Sequence, residues 1–341
     1  MGNNILDAPI FLGIADGMTT PAMDFPTTLQ EAMAYFSDAE RGFQFMVSLR
    51  WPDGKVTCPH CAAERVSFLS TRSKWKCMAC HKQFSAKVGT IFEDSALGYD
   101  KWFPAMWMIC SAKNGVSSYE LHRALGVTQK TAWFMLHRIR LALHNGSVMK
   151  FRGDVEVDET YIGGAARFMH KDAKLRKLKG GKGSAGKEIV QGLLERDGRV
   201  RTIHVRDSSK TSLDGNVRAN VEKGSNVYTD AHSSYVDLWP DFHHKFVDHA
   251  IEYVRGAVHT NGLENFWSLL KRGLKGTYIS VEPYHLFRYL DEQAFRYNER
   301  KDTDAGRFLK ALAGIIGRRV RYAELIGDGK GGEDLPQAVM G

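Results

Sequence analysis

"VEVDETYIGG", residues 155–164, alternates apolar and polar positions with a period of two. That is the pattern of a strand with one buried face. Three acids stand inside it, Glu156, Asp158 and Glu159. Carboxylates in mid-strand work against the strand that carries them, so their presence calls for a reason. The runs "KEIVQGLLER", "RVRTIHVRD" and "NVYTDAH" follow, short and bounded by turn residues, and they also read as strands. Helices are expected between and after them, at about 211–222, 261–273 and 282–299. Strands first and helices later, in about 150 residues, predict a mixed α/β layer domain over 152–310.

Upstream the pattern is helical. Residues 99–143 form a helical block broken at Asn114-Gly115 and again at Gly126. Its second half predicts a helix at about 117–125, a turn at Gly126-Val127, and a second helix capped by Thr128. Gln129, Lys130 and Thr131 then fill the first turn, where a helix-turn-helix reads bases or phosphates. Ala132, Met135, Leu136 and Ile139 make the core face, with His137, Arg138 and Arg140 elsewhere on the helix. Residues 27–51 read as helical, capped by Thr27 or Thr28 and interrupted at Gly42. The leader at 1–26 is expected to be disordered, the basic loop at 165–187 mobile, and the Gly-rich tail at 325–341 flexible.

Between the helical segments, at 52–92, lie "CPHC" and "CMAC". Cys58 and Cys61, then fifteen residues, then Cys77 and Cys80, give two knuckles that close a tetrahedral four-thiolate site for structural Zn²⁺. Four thiolates suffice, so His60 and His81 are not expected as ligands. Cys110, in "WFPAMWMIC", reads as a buried small hydrophobe.

Residues 51–150 carry 14 basic and 6 acidic side chains, as much net charge as the whole chain at +8. A domain-sized basic block points to a polyanion, most often nucleic acid. Lys74 and Lys76 of the ribbon and Arg138 of the second helix join Gln129, Lys130 and Thr131 as candidate DNA contacts. There is no run of eighteen apolar residues and no basic-then-apolar leader, so no membrane span or signal peptide is expected.

Two further acids matter. Asp230 ends "NVYTD", and Glu264 stands in "HTNGLENFWSLLKRG" (259–273), where Leu263, Phe266, Trp267 and Leu270 form a core stripe. A few carboxylates suit Mg²⁺, and two such ions can clamp the attacking and leaving oxygens of a phosphoryl displacement. The words "VEVDETYIGG", "VYTDAHSSY", "VHTNGLENFWSLLKRGLKGTY" and "YLDEQAFRYNER" together resemble the insertion-sequence transposases of the DDE type that carry an N-terminal zinc ribbon. The likeness spans roughly residues 30–310.

The resemblance implies a multidomain fold: a small β zinc ribbon, a helix-turn-helix-like helical linker and an α/β ribonuclease-H-like catalytic domain. It implies that Asp158, Asp230 and Glu264 hold two catalytic Mg²⁺ or Mn²⁺ ions, with Lys271 beside them and Arg272 on DNA. A neighbouring Asn, Asn261 or Asn265, is the alternative third ligand, and His259 and Asn261 read as accessory contacts or helix caps. The implied reaction is cleavage at a transposon end followed by strand transfer into target DNA. A homodimer or larger assembly would form on DNA, in a prokaryotic cytoplasm near the nucleoid. The rival readings are a ribonuclease-H-like nuclease without strand transfer, and a zinc-ribbon DNA-binding protein with an inert catalytic domain.

Overall fold

The computed structural model describes residues 25–144, 146–147, 149–163, 186–230, 233–247 and 259–326. Most of the basic loop, the leader and the tail therefore lie outside the described residues.

The chain opens with α1 (Leu29–Ser37) and α2 (Ala39–Arg50). Thr28 caps α1 in a reciprocal box with Glu31. The break expected at Gly42 falls instead at Asp38, whose carboxylate accepts from the backbone N–H groups of Glu40 and Arg41 and starts a new helix. Gly42 lies inside α2 for a packing reason, since a Cβ there would stand 3.1 Å from Tyr99 Cβ.

The ribbon follows as β1 (Val66–Leu69), β2 (Lys74–Cys77) and β3 (Gln83–Phe84), all antiparallel. It has no separate core. Trp75 stacks on Phe43 of α2 at 5.7 Å and meets Trp51 edge-on at 5.2 Å. The helical block comprises α3 (Tyr99–Ser111), α4 (Ser118–Leu125) and α5 (Gln129–Leu143). Gly126 ends α4 with a left-handed φ of 65°, and Thr128 caps α5.

The second half forms one five-stranded sheet: β4 (Asp154–Ile162), β5 (Glu188–Glu195), β6 (Val200–Val205), then α6 (Lys210–Asn220), β7 (Asn226–Asp230) and β8 (His243–Val247). The order is β6-β5-β4-β7-β8. The first three strands meander antiparallel, and β7 and β8 run parallel to β4. This is the mixed sheet of a ribonuclease-H-like domain. The helices α7 (Asn261–Gly273), α8 (Leu286–Asn298) and α9 (Asp304–Ala313) follow, and a short α10 (Tyr322–Ile326) comes after them.

Period-two alternation sends β4 side chains into two cores. Val155 and Val157 pack with Leu213 and Val217 of α6. The opposite face packs with Leu263, Phe266, Trp267 and Leu270 of α7 and with Leu286, Tyr289 and Leu290 of α8. The α7 stripe is thus core, as its spacing predicts. The helix α9 leaves the sheet altogether: Ala305, Phe308, Ala311 and Leu312 join the N-terminal core, where Phe308 meets Trp107 at 5.0 Å.

The two halves are joined by a buried charge cluster. Arg140 of α5 donates to Glu292 of α8 at 2.6 Å, and Arg296 and Tyr278 donate to the other Glu292 oxygen. Burial alone would raise the Glu292 pKa, but Arg296 and Arg140 outweigh it and hold the group down to about 2. Its contribution to stability is therefore complete at neutral pH, and is lost only as pH falls from the ordinary value of 4.5 towards 2. Glu292→Ala leaves two guanidinium groups buried without their counter-charge. We expect a destabilisation of about 3–5 kcal/mol, read as a lower midpoint in chemical denaturation at pH 7. No described helix is long and apolar enough to cross a membrane.

Candidate active site

Two clusters of potential ligands stand out, one sulfur and one oxygen. In the ribbon the ligand atoms of Cys58, Cys61, Cys77 and Cys80 all lie within 4.8 Å of one another. Sγ–Sγ separations are 3.7 Å for Cys58–Cys80 and 3.6 Å for Cys61–Cys77. The turns that present them also donate to them: His60 N–H to Cys58 Sγ and Cys80 N–H to Cys77 Sγ, each at 3.4 Å. The latter backbone donor is the main reason the Cys77 thiol is held down to about 6. Four soft thiolates with no open position fit structural Zn²⁺. His60 and His81 are exposed and outside the cluster. Cys110 is buried, and burial pushes its thiol up, as for an inert core residue.

The oxygen cluster is built by the sheet. The parallel register pairs Asp154 with Asn226 and Glu156 with Tyr228. Continued by two residues, that register brings Asp158 opposite Asp230, on the α7 side by alternation, and the Asp230 charge acts on Asp158. Asp158 is held at both oxygens. Oδ1 accepts from Glu159 N–H at 2.8 Å and Oδ2 from the Trp267 indole N–H at 2.9 Å. Even so its pKa is pushed up to about 6, by burial first and then by the charges of Asp230 and Glu264. Lys271, one helix away, has its pKa lowered by burial, with the Asp158 charge opposing and Lys275 and Lys187 adding to the shift.

The three acids do not meet the 4.8 Å spacing that marks a single-ion cluster. Carboxylates shared between two ions about 3.5–4 Å apart span more than one ion's ligand sphere. Glu264 is also exposed. The charge balance favours a cation here. Beside Asp158, burial and the charges of Asp158 and Asp230 push Glu159 up to about 9. Its Oε1 is buried without a hydrogen-bond partner among the described residues. Hard carboxylate oxygens crowded together in this way fit Mg²⁺ or Mn²⁺.

Two residues have roles the sequence does not reveal. Glu156, two positions before Asp158 on the same face, is almost fully buried. Its Oε2 accepts from Leu263 N–H at 3.1 Å in the first turn of α7, and its Oε1 pairs with Arg196 at 3.0 Å. Thr260, at the N-cap position, makes no side-chain cap, so Glu156 caps this helix from the sheet. His259 stands behind it, with Nδ1 3.3 Å from Glu156 Oε1. Trp267, read as core, is also the donor that fixes Asp158.

One candidate DNA contact is corrected. Arg138 is only 4% exposed, and its guanidinium donates to the carbonyls of Ile91 and Glu93 while lying 4.2 Å over Phe134. It is a structural cation with no reach to a phosphate. His137 and Arg140 are buried too, because α5 is wrapped by α3, α8 and α9 rather than lying on a surface. The first turn of α5 is open: Lys130 is exposed, its Nζ 4.7 Å over Tyr322, and Gln129 and Thr131 are half-exposed. Gln129 donates to Ser118 at 2.8 Å. Lys74 and Arg272 are exposed and Lys76 half-exposed, with Trp75 pointing the other way.

Two regions of the chain match known protein families. Residues 37–83 match the transposase zinc-ribbon domain, and residues 150–298 the ISXO2-like transposase domain. The chain is 28% identical over 252 residues to an uncharacterized protein in transposable element ISH50 of Halobacterium salinarum. That match covers 70% of this chain and 84% of the relative. The chain thus carries a transposase zinc-ribbon domain followed by an ISXO2-like transposase domain, and as a whole it is similar to insertion-sequence transposases.

Proposed function

We propose that this protein binds the ends of its insertion sequence and catalyses metal-dependent cleavage and strand transfer there. The observation that carries the reading is the meeting of Asp158, level with Asp230, and the helix bearing Glu264 and Lys271. Asp158, Asp230 and Glu264 would hold the divalent cations, which when bound supply an activated water and offset charge on the attacking and leaving oxygens. Lys271, seven residues and about two turns beyond Glu264, shares its helix face and would contact a phosphate beside the carboxylates.

Cleavage at the end of the element frees a 3′-hydroxyl. In strand transfer that hydroxyl attacks a target phosphodiester, so one P–O bond forms as another breaks. The chain's part is to keep both DNA segments aligned. Lys74 and Lys76 on the open ribbon face, Lys130 with Gln129 and Thr131 in the first turn of α5, and Arg272 on α7 supply the contacts. Pairing two ends calls for at least two protomers on the DNA.

Labelled end DNA with unlabelled target and Mg²⁺ or Mn²⁺ tests the reading. Cleaved and joined products are expected. Cleavage without joining would make the protein a nuclease, and binding without either would leave it a DNA-binding protein alone.

A further inference from the structure

We propose that Glu156 and Trp267 form a two-point latch between β4 and α7 that sets where Glu264 stands relative to Asp158. Both are positioning residues, and the inference rests on the metal-dependent reading above.

Glu156 and Asp158 are two residues apart on one face of β4, about 6.6 Å along the strand. Leu263 and Trp267 are four residues apart on α7, about 6 Å along the helix. The two repeats nearly coincide, so the helix can bond to the strand at both points. It does: Leu263 N–H donates to Glu156 at 3.1 Å, and Trp267 Nε1–H donates to Asp158 at 2.9 Å. Glu264 lies in the turn between these two fastenings.

Two glycines are shaped to this approach. Gly192, the cross-strand partner of Asp158, would with a Cβ meet the Trp267 ring at 2.6 Å. Gly262 would meet Glu156 Oε2 at 2.7 Å. A side chain at Gly192 would displace the Trp267 ring, and one at Gly262 would crowd Leu194 as well as Glu156. Arg196 holds Glu156 in turn, through Nε at 3.0 Å, and its Nη2 donates to the His259 carbonyl at 2.9 Å. Asp158, with N–H donors on both oxygens, cannot rotate without giving one of them up. Supports of this kind around metal-holding side chains typically matter 10- to 100-fold in affinity.

The test uses the full-length, zinc-loaded protein and three readouts: Mn²⁺ affinity by calorimetry, cleavage rate against Mn²⁺ concentration, and thermal midpoint. For Trp267→Phe we expect Mn²⁺ binding weaker by about 10- to 100-fold, with end binding unchanged and the rate largely restored at high Mn²⁺. Gly192→Ala keeps the indole but displaces it, so it should shift Mn²⁺ affinity in the same direction. If Trp267→Phe binds Mn²⁺ as the wild type does and keeps its rate at low Mn²⁺, the latch is packing only and the proposal fails. Should Trp267→Phe not fold, Gly192→Ala decides by the same criterion, weakened affinity supporting the latch and unchanged affinity overturning it. A wild-type protein that takes up no Mn²⁺ beyond its zinc would overturn the metal reading itself, and the latch with it.

Discussion

Asp158→Asn and Asp230→Asn each reduce cleavage and joining by on the order of 10³-fold or more, while end DNA is still bound with near wild-type affinity. Asparagine keeps the shape of the side chain, so the sheet should be undisturbed, although at position 158 its single oxygen can accept from only one of Glu159 N–H and the Trp267 indole. What it removes is one negative charge from a buried place where the charges of Asp230 and Glu264 already act on it. A second consequence separates a metal-site role from a structural one. The Asp158 pKa is raised, from an ordinary 3.8 to about 6, so its ionised form is disfavoured in the folded protein. That penalty is absent below about pH 3.8 and complete above about pH 6. The metal-free Asp158→Asn protein should therefore melt at a higher temperature than wild type at pH 7.5, and not at pH 3.5. A structural aspartate would show the opposite. If Asp230→Asn joined strands at the normal rate in the end-DNA assay, the assignment of the metal site would be wrong.

Loss of zinc is expected to unfold the ribbon and loosen the helices beneath it. The three strands contain four, four and two residues, far too few to hold together without a metal staple. In small zinc modules the metal contributes an apparent 10–16 kcal/mol at neutral pH. Cys77→Ser, or chelation of the wild type, should open residues 52–92 to protease. Tryptophan emission should shift to the red as Trp75 and Trp51 leave their shared core. Because Trp75 stacks on Phe43 of α2, we expect the damage to reach the N-terminal helices and to abolish end binding. The sheet domain packs its own cores away from the ribbon, and its protease resistance should persist. Unchanged proteolysis after complete zinc removal would count against a structural metal.

Local chemistry accounts for what was readable before folding. The four-cysteine ribbon, the Gly126 turn capped by Thr128, and the strand holding Asp158 all announce themselves through spacing and alternation, which are properties of a few consecutive residues. One strand escaped. In β8, "HHKFV" has little apolar character, and it is held as an edge strand by backbone bonds to β7. The Gly42 break was misplaced because Gly42 answers to Tyr99, 57 positions away, and not to its own helix. Likewise α9 looks like an appendage of the sheet domain in sequence, yet its apolar face fills the N-terminal core.

The same division runs through the site. Residue type and order drew attention to Asp158, Asp230 and Glu264 and to thiolate ligands for zinc, and the family resemblance added Lys271. Burial and partners could not be read there, because they depend on which surfaces meet. Arg138 is a cation on a helix and looked available to DNA, but it lies in the buried middle of α5 with its guanidinium on the Ile91 carbonyl. Glu156 looked like one more acid beside Asp158, and proved to be the cap of the helix that carries Glu264. Trp267 looked like plain core, and proved to hold the carboxylate. Sequence determined which chemical groups the chain brings, since those are written residue by residue. Only the tertiary structure decided which of them face solvent, which face each other, and which are spent on holding the rest in place, because desolvation and hydrogen bonding are settled by neighbours far away in the chain.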